Sequence, residues 1–208
     1  MIIIGVTGPI ATGKSTVDRM LRELGAHPVI DGDQVVHELY RDSGELRERL
    51  VALFGPAILG PDDAIDRRAL GARVFGDPAA LRRLEEVVHP AVRVDVRRRL
   101  DEAAPDAVVV VDAVKLLQGD MARLCTARWW VAASRDEQRR RLVDLRHSSP
   151  EDAERRLAAQ PRLEDWRDQV DLVIDNSGAL DDTRRQVEAA WRALVDRPDR
   201  PDLPAREP

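Results

Sequence analysis

The sequence predicts an α/β fold in which a five-stranded parallel sheet is covered by helices on both faces. Two observations predict it: the apolar runs are short and continuous rather than alternating, and helical periodicity fills the spaces between them. A run without alternation is a strand buried on both faces, and parallel neighbours need a crossover to join them. The runs are Ile2 to Thr7, Pro28 to Asp31, Ala107 to Asp112, Arg128 to Ala133 and Asp171 to Asp175. An amphipathic helix is expected to begin near Thr16, after the first run.

Two helical excursions interrupt this core. The longer, Gln34 to Ala104, is rich in Arg, Leu and Ala, and the second, Asp136 to Trp166, is basic. They predict a helical substrate-binding insertion (34–104) and a lid (136–166) on a core of residues 1–33, 105–135 and 167–196. The whole of 1–196 is expected to be one domain, and the Pro-, Arg- and Asp-containing tail 197–208 is expected to be disordered.

Composition excludes several classes of function. A net charge of -5, from 33 basic and 38 acidic residues, gives no global attraction for nucleic acid or anionic membrane. Aromatics at 3% leave no stacking platform for single-stranded nucleic acid. The lone cysteine, Cys125, has no internal disulfide partner and reads as a small buried residue in a reducing compartment. The first apolar run is too short for a signal peptide and no stretch is long enough to span a bilayer, so a cytoplasmic protein is expected. Partners are expected to be small molecules, with the chain a monomer or small homo-oligomer.

The chemistry is concentrated after the first strand. Gly8-Pro9-Ile10-Ala11-Thr12-Gly13-Lys14-Ser15 fits G-x-x-x-x-G-K-[ST] without a gap, between an expected strand and an expected helix. That is a phosphate-binding loop, so the fold expectation becomes a three-layer P-loop NTPase. Amides from about Ala11 onward, through Thr12, Gly13, Lys14, Ser15 and Thr16, turn toward the terminal phosphates of a nucleotide, and Gly8 opens the turn. Lys14 would reach the β- and γ-phosphates of ATP and Ser15 would hold Mg²⁺. Pro9 and Ala11 make this loop poorer in glycine than most, and Ala11 brings a methyl group to a place where backbone approaches phosphate closely.

Carboxylates at strand ends face the ligand crevice of open α/β sheets, and the second strand ends in Asp31-Gly32-Asp33. Asp33 would accept or orient the proton of an attacking hydroxyl. The plainer reading is an acidic turn that caps a helix starting near Gln34. No His, Cys or carboxylate cluster has the spacing of a protein-built metal site, so the expected metal is Mg²⁺ arriving with nucleotide.

At these residues the chain resembles the dephospho-coenzyme A kinases, P-loop kinases that phosphorylate the ribose 3′-hydroxyl of dephospho-coenzyme A with ATP. Their loop usually reads G-G-I-G-S-G-K-S and is followed by D-A-D, where this chain has Asp31-Gly32-Asp33. The stretch from Ile65-Asp66-Arg67-Arg68 through Val74-Phe75-Gly76-Asp77-Pro78 to Val88-His89-Pro90 is similar to the family's substrate-side helices. Ala158-Ala159-Gln160 and Val173-Ile174-Asp175-Asn176-Ser177-Gly178 also match. The resemblance implies substrate contacts from Asp31, Asp33, Arg67 and His89, and an adenine bordered by Asn176 and Gly178.

Three departures fall where that family does its chemistry. After the third strand the family reads D-V-P-L-L-F-E, whereas this chain has Asp112-Ala113-Val114-Lys115-Leu116-Leu117-Gln118, which makes Lys115 and Gln118 candidates for an altered acceptor contact. In the lid the family places R-D where this chain has Leu145 and Arg146, so the arginine has slid by one position. Arg146 is the expected lid cation, with Arg139, Arg140 and Arg141 as substitutes. Trp166 and His37 stand where the family often has Lys and Arg. The expected activity is ATP-dependent phosphorylation of dephospho-coenzyme A. The departures leave two alternatives: another nucleoside or small alcohol as acceptor, or nucleotide binding without transfer.

Overall fold

The structure is a computed structural model that describes residues 1–196. The expectation about the tail 197–208 lies outside the described residues. The chain divides into two compact units, Met1–Ile30 with Ala103–Pro208, and Asp31–Glu102.

The sheet has five strands in the order β2-β3-β1-β4-β5: β1 (Ile2–Thr7), β2 (Val29–Asp31), β3 (Val108–Asp112), β4 (Ala127–Ala132) and β5 (Leu172–Asp175). All five expected strands are present, with ends that differ by about one residue. The parallel pairings set Ile4 opposite Val110 and Ala127, and Val131 opposite Ile174. Every residue of β1 is buried, as a central parallel strand requires.

One face of the sheet packs on α1 (Lys14–Glu23) and α8 (Leu180–Val195). Ile2, Ile4 and Val6 of β1 meet Val17, Met20 and Leu21 of α1 and Val187 and Leu194 of α8 in one cluster, joined by Trp129 and Val131. Residues of β1 pointing the other way face a different layer: a Cβ on Gly5 would lie 2.6 Å from Leu116 Cδ2 and 2.7 Å from Cys125 Sγ. Cys125 is therefore packing material, and burial pushes its thiol up to about 12.

The segment expected as a basic helical lid is broken in three. It runs as α6 (Arg135–Arg140), a π-helical turn (Arg141–Leu145) and α7 (Pro150–Ala158), with a 3-10 turn at Leu163–Gln169. Ser134 and Ser149 cap α6 and α7, accepting from Glu137 N at 3.2 Å and Asp152 N at 3.1 Å.

The second unit is helical throughout: α2 (Gly32–Asp42), α3 (Gly44–Phe54), α4 (Arg67–Val74) and α5 (Pro78–Glu102). Asp31, Ser43 and Asp66 cap the first three. Helix α5 continues through Pro90, whose missing N–H leaves the Glu86 carbonyl without its helical donor. Arg99 of α5 ties the unit together by donating to Asp95 at 2.6 Å and to Glu38 of α2. Among the described residues no helix is long and apolar enough to cross a membrane.

Candidate active site

The loop between β1 and α1 is shaped by two glycines. Gly8 (φ 148°) has Val131 O 2.3 Å from where a Cβ would stand, and Gly13 (φ 92°) has Asn176 Nδ2 at 2.1 Å, so neither position admits a side chain. Gly13 ends the loop as the N-cap of α1, which starts at Lys14, two residues earlier than the sequence suggested. No side chain caps that helix and its first turn holds no acid, so its leading N–H groups and positive dipole end are left for an anion. Lys14 Nζ rests 3.4 Å from Gly8 O, across the mouth of the loop, and Ser15 is exposed.

Behind the loop lies a polar network that the motif alone does not announce. Arg141 Nη1 donates to Ala11 O at 3.1 Å and Thr12 O at 2.9 Å, and its Nη2 donates to Asn176 O at 2.7 Å. Asn176 Nδ2 donates to Thr12 O at 2.7 Å, and Thr183 Oγ1 donates to Asn176 Oδ1 at 2.8 Å. Gln160 Oε1 accepts from Ile10 N at 3.0 Å. Arg141, Gln160 and Thr183 are the supports that sequence reasoning missed; the A-A-Q match was the one signal that pointed at Gln160.

Three expectations change in consequence. The Asn176 side chain is buried and both its amide atoms are engaged behind the loop, so it does not present that amide to a base. Thr12 is fully buried with its hydroxyl donating to Pro9 O at 2.9 Å, which leaves only its N–H for a ligand. The Ala11 methyl is buried in an apolar cluster with Leu142, Ala153 and Leu157. Its backbone, at φ 61°, carries the left-handed cost of about 1–2 kcal/mol that a glycine avoids.

A buried acid lies beneath the same helix. Asp18, one turn after Lys14, faces inward among Val17, Met20 and Leu21 and shares a side-chain hydrogen bond with Asp112 at the end of β3. Burial first, then the Asp112 charge and that hydrogen bond, push Asp18 up to about 8 against the pull of Arg22 and Lys14. The signal in the sequence was an acid on the apolar stripe of an amphipathic helix.

In the lid segment the arginine run is spent on ion pairs. Arg140 and Arg141 both bind Glu137, at 2.7 and 2.8 Å, and hold its carboxyl down to about 2, while Arg139 lies 3.6 Å from Glu154. Arg146 is exposed and makes no ion pair among the described residues. After β3, Lys115 and Gln118 are both exposed on the turn.

In the helical unit Asp31 Oδ1 accepts from Asp33 N at 2.8 Å and Gln34 N at 3.1 Å. Asp31 is thus the cap that the plainer reading described, and the helix starts at Gly32 rather than near Gln34. Asp33 lies exposed in the first turn, its carboxylate uncommitted among the described residues. Arg67 opens α4 on the surface, and His89 lies midway along α5, beside Pro90.

The sequence model of the dephospho-CoA kinase family matches residues 2–182. The chain belongs to the dephospho-CoA kinase family. A dephospho-CoA kinase of Symbiobacterium thermophilum is 46% identical over 195 residues, covering 93% of this chain and 81% of that one. A Thermus thermophilus protein known from its crystal structure superposes with a TM-score of 0.77 at 36% identity, over 93% of this chain and 97% of the other. The dephospho-CoA kinase of Campylobacter jejuni, at 24% identity and a TM-score of 0.59, shares the fold over 92% of this chain and 96% of its own. Members of this family are transferases with the P-loop kinase fold, and in this chain the loop after β1 carries Pro9 and Ala11.

Proposed function

We infer that the chain transfers the γ-phosphoryl group of ATP to the ribose 3′-hydroxyl of dephospho-CoA, giving CoA. The observation that carries this is the family match over 2–182, joined to a loop whose uncapped helix end suits a polyphosphate. Lys14, held near the loop mouth by Gly8 O, swings to the β- and γ-phosphates, and the N–H groups of Ala11, Thr12, Gly13, Lys14 and Ser15 supply the cradle, joined by Thr16 N, which also donates to Gly13 O at 2.9 Å. The base borders Gly178 and the main chain at Asn176.

Ser15 fits Mg²⁺ brought with the nucleotide, because its exposed hydroxyl is a hard oxygen donor in the first turn of α1. When bound, the ion neutralises charge on the phosphate oxygens. Among the described residues no group of three His, Cys, Asp or Glu could hold a metal ion by itself.

Asp33 takes the role of orienting the acceptor hydroxyl and receiving its proton, a role supported by its uncommitted carboxylate. As acceptor contacts we propose Asp31, Arg67 and His89 in the helical unit, and Lys115 and Gln118 on the turn after β3. Arg146 is the lid cation, and the π-helical turn supports it. Such a turn holds one residue more than an α turn, so the fifth residue after Arg141 takes the side that the fourth would take in an α-helix. That extra residue supports taking Arg146 as the counterpart of the family's lid arginine despite its one-residue displacement in the sequence. The chain acts as a monomer or small homo-oligomer in the cytoplasm.

Transfer from ATP to dephospho-CoA, followed by CoA formation, tests the whole reading. Brisk CoA formation by the wild type is expected. Lys14→Ala and Asp33→Asn should abolish turnover with the melting temperature retained, and Arg146→Ala should lower kcat by about three powers of ten. Near-normal turnover in Asp33→Asn would reassign the proton.

A further inference from the structure

Ala11 occupies φ 61°, a backbone region that an L side chain holds only when its surroundings keep it there. The surroundings are specific. Its methyl lies in one apolar cluster with Leu142, Ala153 and Leu157, and its carbonyl receives a hydrogen bond from Arg141, the residue before Leu142 on the same π-helical turn. The carbonyls of Ala11 and Thr12 are turned away from the face that would take an anion. Each needs a donor on the rear side if the amides are to stay at the front. Arg141 serves both with one nitrogen, reaches Asn176 O with the other, and is fixed by Nε donating to Glu137 at 2.8 Å. Four of its five N–H groups are thereby engaged, and its side chain is mostly buried, 16% exposed. With four of its five N–H groups spent inside the protein, this guanidinium is built to hold the loop rather than to grip a transferring phosphoryl group.

We propose that Arg141 is a positioning residue for ATP: it clamps the Ala11 and Thr12 carbonyls from behind and so keeps the phosphate loop in its anion-binding form. The clamp takes the place of the backbone freedom that a glycine at position 11 would give. This rests on the loop being the nucleotide site.

The test measures ATP affinity by calorimetry, apart from turnover, in Arg141→Lys, Ala11→Gly and the double variant. Lysine keeps the charge but has one point of donation, so ATP binding should weaken about tenfold and KM for ATP should rise alike, with KM for dephospho-CoA within about twofold. In the Ala11→Gly background the loss caused by Arg141→Lys should shrink to about threefold or less, because glycine holds the left-handed turn unaided. Glu137→Gln, a milder change that loosens the guanidinium, should weaken ATP in the same direction. Unchanged ATP affinity in both Arg141→Lys and Glu137→Gln would overturn the proposal. So would equal losses with and without Ala11→Gly, or a parallel rise in both KM values tracking a lowered melting temperature. Lys14→Ala separates the two readings: if it abolishes ATP binding while Arg141→Lys changes nothing, the loop assignment stands and the clamp falls. Undiminished ATP binding in Lys14→Ala would remove both.

Discussion

Asp18 shows how a single side chain can link this active-site helix to pH. Its carboxyl, ordinarily near 3.8, is raised to about 8, so across that window the folded chain keeps a proton that the unfolded chain has released. The contribution of Asp18 to stability therefore falls as pH rises through the window and levels off above it. Asp18→Asn has no proton to lose at that position. Its melting temperature should gain on the wild type progressively between about pH 4 and about pH 8, then hold a constant lead. A difference independent of pH in paired thermal melts would mean that Asp18 ionises normally in the folded chain. The same scale separates the two carboxylates at the end of β2. Asp31 Oδ1 caps α2, whereas the neighbouring Asp33 carboxylate is uncommitted among the described residues.

At the scale of elements, the two helix starts read from the sequence, near Thr16 and Gln34, fall two residues earlier, at Lys14 and Gly32, and the caps of the other helices, though local, were not read out. Ser43, Asp66, Ser134 and Ser149 each accept from a backbone N–H in the first turn that follows. The π-helical turn at Arg141–Leu145 was not legible, since nothing in its composition distinguishes it from an α-helix. Its place is set by Leu142, which is fully buried against Ala11, and by Arg141 bonding the loop from the same turn. The turn after β5 is fastened in a similar way. Asn176→Ala would leave the Thr183 hydroxyl buried without its acceptor and Thr12 O with Arg141 alone. We expect a loss of about 2–3 kcal/mol in urea unfolding, together with weaker ATP binding, because the same amide supports fold and loop. A loss of stability with unaltered ATP affinity would show that the loop keeps its shape without Asn176.

Across the whole molecule, the core is built around β1, whose burial on both faces fixes the sheet that carries the loop. Ile4 is wholly buried, lies between Val110 and Ala127, and packs in the cluster with α1 and α8. Ile4→Ala should cost about 2–5 kcal/mol in denaturant unfolding while leaving ATP affinity nearly unchanged under native conditions. A large fall in affinity at undiminished stability would mean that the sheet positions the loop more delicately than simple support.

The amino-acid sequence by itself determined what depends on near neighbours. Continuous apolar runs gave the five strands to within about a residue, G-x-x-x-x-G-K-S placed a phosphate loop between strand and helix, and ordered motifs implied the family. Only the tertiary structure decided which groups around that loop are available. Asn176 Nδ2 and Arg141 Nη1 are consumed by loop carbonyls more than a hundred positions away and the Ala11 methyl packs with equally distant residues, while the Thr12 hydroxyl is taken by Pro9 O within the loop. The physical reason is that a loop presenting its amides to an anion must satisfy its carbonyls on the opposite side, and the donors for them come from whichever distant segments the sheet brings there.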